Sequence, residues 1–282
     1  MRTVKNITEM QTISRQLSRK KKTIGFVPTM GAIHEGHLKL IRKAVLGCDS
    51  VVVSIFLNPI QFDNKEDLEN YPRILEADAG LISGEQVDLL FIPDANKVYP
   101  PGYKTFVEVK GITQYLCGQF RSGHFTGVAT VLCKLLNIVQ PNRVYLGQKD
   151  YQQTLVTSRL IKDLHYNIEV EVVPTVREKS GLALSSRNVQ LSGENRKKAA
   201  VVYNSLKSGE KLVKEGERNA AVVGNHILDL LSEEEVIKIE YLSVCNHRTL
   251  EPVKTIGKKS LIAVAVHIEG VRLIDNLIIE AA

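Results

Sequence analysis

The residues with the greatest chemical potential lie close together in Ile24-Gly25-Phe26-Val27-Pro28-Thr29-Met30-Gly31-Ala32-Ile33-His34-Glu35-Gly36-His37. An apolar run stops at a proline, and glycines and two histidines then lead into a helix expected to begin near Gly36. In an open α/β sheet, ligands sit at the carboxyl ends of strands, and the N-terminus of the following helix stabilises anions. Gly31 and Gly36 permit close backbone approach or a positive φ. His34 and His37 share a face if the helix includes both, and remain close if it starts at Gly36. Imidazoles there can donate to a phosphate and offset the charge that develops in phosphoryl or nucleotidyl transfer. The bland alternative is that one histidine caps or packs while the other is solvated. A zinc site fits poorly, because the spacing lacks the third ligand and general base of HExxH.

Four more segments place polar groups on loops. Asn58 and Gln61, within Phe56-Leu57-Asn58-Pro59-Ile60-Gln61-Phe62, are amides suited to a substrate hydroxyl or carboxylate, with Phe56 and Phe62 as an apolar wall. Asn58 equally suits a turn before Pro59. In Arg121-Ser122-Gly123-His124-Phe125-Thr126-Gly127-Val128, Arg121 reads as an anion ligand, His124 as a donor and Thr126 as a helix cap. In Gly147-Gln148-Lys149-Asp150, Lys149 can reach a phosphate as a point charge. Asp150 fits an N-cap or a ribose contact, and Gln153 follows on the same side of a helix. Ser185, Ser186 and Arg187, after a loop, suit triphosphate oxygens and stand where a domain boundary would let them close over a reactive intermediate. No GxSxG, GxxxxGK[ST] or GxGxxG is present, so any use of ATP must run through the histidine-containing loop.

These loops need a frame. Short apolar runs, Ile24–Val27, Ser50–Phe56, Asp88–Ile92, Val144–Leu146 and Ile168–Val173, read as strands. Amphipathic stretches, Leu38–Leu46, Lys65–Leu81, Thr126–Ile138 and Tyr151–Leu164, read as the helices between them. The alternation predicts an α/β domain with a parallel sheet covered on both faces. Pro93–Gly118 breaks the rhythm and reads as an excursion over the sheet edge or site. Beyond residue 187, helices at Gly193–Glu215 and Arg218–Leu231 precede strands at Val236–Val244, Ser260–His267 and Val271–Ile279. That order predicts a smaller C-terminal α+β domain, and we place the division as 1–175 and 176–282.

Composition narrows the class. The 282 residues are 44% hydrophobic, enough for one large core or two modest ones. The net charge of +6 is scattered, and aromatics are only 6% with no Trp, so a nucleic-acid surface is not expected. The run Arg19-Lys20-Lys21-Lys22 reads as a solvated helix end before a strand. Cys48, Cys117, Cys133 and Cys245 show no metal-ligand spacing and are expected to be reduced and mostly buried. The N-terminal stretch lacks the apolar core of a signal peptide, and no run reaches the roughly 18 apolar residues of a membrane helix. A cytoplasmic protein without a membrane partner is the expectation.

Taken in order, these segments resemble the signature of the pantothenate synthetase (pantoate–β-alanine ligase) family, whose histidine loop is a version of the HIGH motif of the wider nucleotidyltransferase superfamily. The match runs through Pro28–His37, Asn58–Phe62, Glu66–Arg73, Arg121–Val128, Gly147–Asp150, Gln152-Gln153 and Leu184–Asn188, and more loosely to Asn276. The resemblance implies a Rossmann-like N-terminal domain, a smaller C-terminal lid and a homodimer. It implies condensation of pantoate with β-alanine, using ATP and Mg²⁺, through a pantoyl-adenylate. By position, Met30, Gly31, Ala32, Ile33, His34, Glu35, Gly36 and His37 would form the ATP loop, with His37 and His34 catalytic. Gly147, Gln148, Lys149 and Asp150 would bind adenosine and phosphate, with Lys149 on the transferring phosphoryl. Val176 would contact adenine by its backbone, and Leu184, Ser185, Ser186 and Arg187 would clamp phosphates. Gln61 and Gln153 would hold pantoate, with Asn58, Arg121 and His124 lining that side, and Asp78 is a candidate for Mg²⁺ contact. Ile60 stands where Thr is commoner and Leu184 where Met is commoner, both apolar-pocket changes. The Ser243–His247 stretch departs from the acidic residue often found there. A transferase that leaves a nucleotide on a phosphorylated acceptor would share the histidine loop but has no evident need for Asn58, Gln61 and Gln153 together. A non-catalytic nucleotide- or RNA-binding protein would show a broad basic face.

Overall fold

β-Branched and apolar runs bounded by polar turns become the strands. The structure, a computed structural model, describes residues 1–281. The first six strands are β1 (Arg2–Val4), β2 (Ile24–Thr29), β3 (Ser50–Ile55), β4 (Leu89–Phe91), β5 (Arg143–Gly147) and β6 (Glu169–Val173). They form one all-parallel sheet in the order β1-β4-β3-β2-β5-β6. Between them run helices α1 (Ile7–Arg19), α2 (Glu35–Gly47), α3 (Lys65–Glu69), α4 (Leu75–Ser83), α5 (Ala95–Val98), α6 (Cys117–Phe120), α7 (His124–Val139) and α8 (Tyr151–Asp163).

Side chains alternate across a strand, and here both sets are buried. Val27, Val53, Leu90 and Tyr145 enter one core with Leu38, Ile41 and Ala44 of α2 and Ile82 of α4. Phe26, Val52, Phe91 and Val144, one residue out of phase, are fully buried on the opposite face. α7 is apolar on nearly every side and packs with α1. The expected α/β sheet is therefore present, with one strand more at its N-terminal edge than the patterning suggested, and the helix end read at Arg19-Lys20-Lys21-Lys22 closes α1.

Two expected helices are interrupted. Lys65–Leu81 divides into α3 and α4 because Pro72 has no amide hydrogen and disfavours helical backbone at Tyr71. Gly193–Glu215 divides into α9 (Gly193–Lys198) and α10 (Val201–Lys214). At that break Ala200 N–H bonds Lys197 O and Val202 N–H bonds Ala199 O, each spanning three residues, so the coil tightens for one turn.

The C-terminal part holds α9, α10, α11 (Ala220–Ser232) and an antiparallel sheet, β7 (Lys238–Asn246), β8 (Lys259–Ile268) and β9 (Val271–Glu280), in that order. Leu206, Val223, Ile227 and Leu231 pack with Ile262, Val264 and Val266 of β8 in its core. The chain forms two compact units. The first is Met1–Lys110, Arg121–Gln148 and Gln153–Pro174; the second is Gly111–Phe120, Lys149–Gln152 and the chain from Thr175 onward. Two short stretches that precede residue 175 in the sequence thus group with the C-terminal unit. All four cysteines are free, Cys117 and Cys245 buried and Cys48 and Cys133 half-buried.

Candidate active site

β2 lies between β3 and β5, so the strand order reverses there. The carboxyl ends of β2 and β5 carry Met30–His37 and Gly147-Gln148, which is where open α/β sheets place their ligands. The loop after β2 is held from beneath. Thr29 Oγ1 donates to Ser54 O (2.7 Å) and accepts from Gly31 N–H (3.2 Å). Gly31 and Ala32 both take positive φ, 87° and 51°. Asp78 accepts Ala32 N–H at 2.9 Å and Ile33 N–H at 2.7 Å, one on each carboxylate oxygen, and is only 1% exposed. A Cβ at position 31 would lie 2.9 Å from Asp78 Oδ2, so glycine is needed both for its φ and for room.

This geometry does not fit the Mg²⁺ contact that the resemblance suggested for Asp78. Its carboxylate is directed at backbone donors in a closed environment. Among the described residues, no group of three or more His, Cys, Asp or Glu side chains is arranged to hold a metal ion.

His34 is the N-cap of α2, and the two histidines cap the helix reciprocally. His34 Nδ1 accepts from Gly36 N–H (3.1 Å), and His37 Nδ1 accepts from His34 N–H (3.3 Å). The rings lie 4.1 Å apart between centroids. An Nδ1 that accepts carries no proton, so each neutral ring holds its hydrogen on Nε2, the tautomer suited to donating outward. Sequence reasoning sets capping and phosphate contact against each other as alternatives. Here capping engages only Nδ1 of each ring, so a capping role and a contact made through Nε2 are compatible.

Gly36 is what admits this arrangement, since a Cβ there would stand 2.8 Å from His34 Cε1 and 2.9 Å from Nδ1. Gly36→Ala is therefore expected to turn the His34 ring and lower kcat by about tenfold or more, equivalent to ~1.4 kcal/mol of transition-state stabilisation. The protein should still melt cooperatively within a few degrees of wild type. Steady-state kinetics beside a thermal melt checks it, and unchanged kcat would show that the cap plays no part.

The amides after β3 sit against the start of α7. Asn58, 1% exposed, donates from Nδ2 to Gln61 Oε1 (2.9 Å) and Gly127 O (3.1 Å). Gln61 Nε2 reaches Met30 Sδ at 2.9 Å, so the pantoate-side and nucleotide-side candidates of this unit meet here. His124 Nδ1–H donates to Gln61 O at 2.8 Å. The close approach depends on Gly127, where a Cβ would meet Ile60 O at 2.5 Å and Gln61 Cα at 2.6 Å, both backbone. Arg121, expected as an anion ligand, is paired with Asp63 at 3.0 Å. Gln153 is half-buried on the first turn of α8.

The other candidates belong to the second unit. Lys149 is 19% exposed in its side chain and lies 3.7 Å from Asp150, a loose pair. Its carbonyl accepts from Asn276 Nδ2 at 2.9 Å. Asp275, next to Asn276 on β9, takes Arg177 in a two-pronged ion pair, 2.5 and 2.9 Å, and Arg177 stacks 3.6 Å over Tyr203. Val176 O accepts Leu184 N–H (2.9 Å), closing the hairpin that leads to Ser185, Ser186 and Arg187. Ser185 caps the 3₁₀ turn over Ser186–Gln190 by accepting from Arg187 N–H. One dipeptide of β9 therefore anchors both the Lys149 segment and the strand before the Ser-Ser-Arg turn. Sequence reasoning missed Asp275 and Arg177. The available signal was two adjacent polar residues interrupting the apolar run of β9.

The model of the pantoate–β-alanine ligase family matches residues 2–278. A protein of Thermodesulfovibrio yellowstonii named pantothenate synthetase is 51% identical over 271 residues, 96% of this chain and 97% of its own length. Another of that name, from Thermotoga neapolitana, is 49% identical over 279 residues, 99% of this chain and all of its own. The crystal structure of pantothenate synthetase from Thermus thermophilus superposes with a TM-score of 0.93 at 44% identity, covering 98% of this chain and 99% of that one. The pantoate–β-alanine ligase of Francisella tularensis, solved with β,γ-ATP and β-alanine, superposes with a TM-score of 0.81 at 38% identity, covering 98% and 97%. With a histidine-capped loop at the sheet's switch point and a family model spanning nearly its whole length, the chain belongs to the pantoate–β-alanine ligase family.

Proposed function

We propose that this chain joins pantoate to β-alanine at the expense of ATP. A pantoate carboxylate oxygen attacks the α-phosphorus, and the bond to pyrophosphate breaks, giving pantoyl-adenylate. The β-alanine amine then attacks the acyl carbon, loses a proton, and AMP leaves. The observation that carries the reading is the reciprocal His34/His37 cap, which supports two Nε2–H donors at the N-terminus of α2, in a chain of this family. Both steps develop negative charge on phosphate oxygens, and positioning with charge stabilisation accounts for most of their acceleration.

In this reading Met30–His37, Gly147–Asp150, Val176 and Leu184–Arg187 bind ATP, and His37 and Lys149 act chiefly on the developing charge. Gln61 and Gln153 hold pantoate, with Asn58, Arg121 and His124 on that side. Mg²⁺ travels on the nucleotide phosphates, in keeping with Asp78 being engaged with backbone N–H groups. The working form is a cytoplasmic homodimer.

The test is product formation from ATP, Mg²⁺ and pantoate, with and without β-alanine, following AMP, pyrophosphate and pantothenate. AMP and pantothenate are expected together only when β-alanine is present. Folded protein that gives no turnover and no pantoate-dependent exchange of pyrophosphate into ATP would overturn the assignment.

A further inference from the structure

Amide side chains have a direction, and here a backbone group sets it. Gly127 O carries no hydrogen, so the Asn58 atom 3.1 Å away must be its nitrogen. That leaves Asn58 Oδ1 for the Tyr99 hydroxyl, which donates to it at 2.7 Å. The second Nδ2 hydrogen of Asn58 meets Gln61 Oε1, and Gln61 is thereby obliged to carry its own nitrogen at the far end, toward Met30 Sδ. A thioether is a weak acceptor, so a substrate oxygen is the better partner for that N–H. Every bond in this chain has its polarity fixed by the one before it.

Tyr99 is built to be a donor. Its ring makes an edge contact with Tyr103 at 5.2 Å and a tilted one with Phe56 at 6.2 Å, and Lys134 Nζ sits 5.3 Å from its centroid while donating to Val98 O. Burial, with the neighbouring Tyr103, raises the phenol pKa, so its O–H stays on across the working range.

We propose that Tyr99 is a positioning residue which, with the Gly127 carbonyl, fixes the direction of the Asn58–Gln61 relay so that Gln61 presents a donor to the hydroxy-acid substrate. The proposal rests on the reading of Gln61 as a pantoate-binding residue. Without the Tyr99 hydroxyl, Asn58 Oδ1 is left unpaired in a closed environment, and the amide cannot flip because its oxygen would then face Gly127 O.

The experiment is a double-mutant cycle of Tyr99→Phe and Gln61→Ala in the full-length enzyme, with KM for all three substrates, kcat and melting temperature. Tyr99→Phe keeps the ring packing and removes only an oxygen, so it is expected to fold, which the melt verifies. It should raise pantoate KM about tenfold, the scale of one lost hydrogen bond at a buried acceptor, with KM for ATP and β-alanine within about twofold. In the Gln61→Ala background, the same change should add less than about twofold, because its effect is transmitted through Gln61. Full additivity in the double variant overturns the proposal, since a general structural role does not depend on Gln61. So does an unchanged pantoate KM in Tyr99→Phe while Gln61→Ala is impaired. If Gln61→Ala itself leaves pantoate KM unchanged, the underlying assignment of Gln61 falls and takes the proposal with it.

Discussion

Lys149→Ala is expected to lower kcat by a factor of about 10²–10³ with little change in melting temperature, the range seen when one preorganised donor to a transition-state oxyanion is removed. The stability half follows from geometry. The ammonium's ion-pair partner, Asp150 at 3.7 Å, is half exposed, and such a pair contributes little to folding. The bond that fixes this part of the chain is from Asn276 Nδ2 to the Lys149 carbonyl, which alanine retains. The catalytic half follows from the proposed role, because a point charge on the transferring phosphoryl gains most as the charge grows.

Lys149→Arg should recover little, because a planar guanidinium cannot occupy the place of a compact ammonium on a flexible stem. Pantoate-dependent exchange of pyrophosphate into ATP isolates the first half-reaction, and it should fall in parallel with kcat. A raised KM for ATP with unchanged kcat would mean instead that Lys149 binds ground state and transition state equally.

The parts of this molecule legible in its sequence are those governed by side-chain periodicity. The apolar runs Ile24–Val27 and Ser50–Phe56 read as buried strands, and both lie in central strands of the parallel sheet, with β2 continuing past the proline to Thr29. What periodicity does not report is β1, where only Val4 of Arg2–Val4 is buried, or the break that Pro72 makes in a helix whose apolar pattern continues past it. The candidate site divides in the same way. His34, His37, Asn58, Gln61 and His124 stand out as candidates because their types and loop positions suit phosphate and hydroxy-acid chemistry. The groups that hold them do not. Gly127 O and the Ala32 and Ile33 amides are backbone atoms with no residue type to read, and Tyr99 sits in a Pro- and Gly-rich stretch that offered only irregularity. Asp78 shows the consequence: the resemblance offers it for Mg²⁺ contact, while the Ala32 and Ile33 amides that engage it, more than forty positions away, have no residue type to read.

That residue yields the second large effect. Asp78→Ala is expected to destabilise the protein by about 2–6 kcal/mol, since two buried N–H groups lose their partner at about 1–3 kcal/mol each. Ala32, at φ 51° directly after Gly31 at φ 87°, also needs support, because an L-residue in the left-handed region stores roughly 1–3 kcal/mol that the surroundings must offset. The carboxylate supplies that support by gripping the two amides that follow Gly31. Asp78→Asn tests the point more finely. An amide presents one oxygen and one NH₂, so it can serve one backbone donor but must face the other with a donor of its own. Asn is therefore expected to lose much of the stability that Ala loses, while its requirement for Mg²⁺ stays at the wild-type value. A Mg²⁺ ligand would behave in the opposite way, with near-native stability in the Asn variant and a sharply raised Mg²⁺ requirement. Urea midpoints at matched slope, read beside activity against Mg²⁺ concentration, separate the two. If the first pattern holds, the histidine pair acts on a loop whose shape is set from below by one buried carboxylate. Its catalytic loss in Asp78→Ala should then exceed what the fraction of unfolded protein explains.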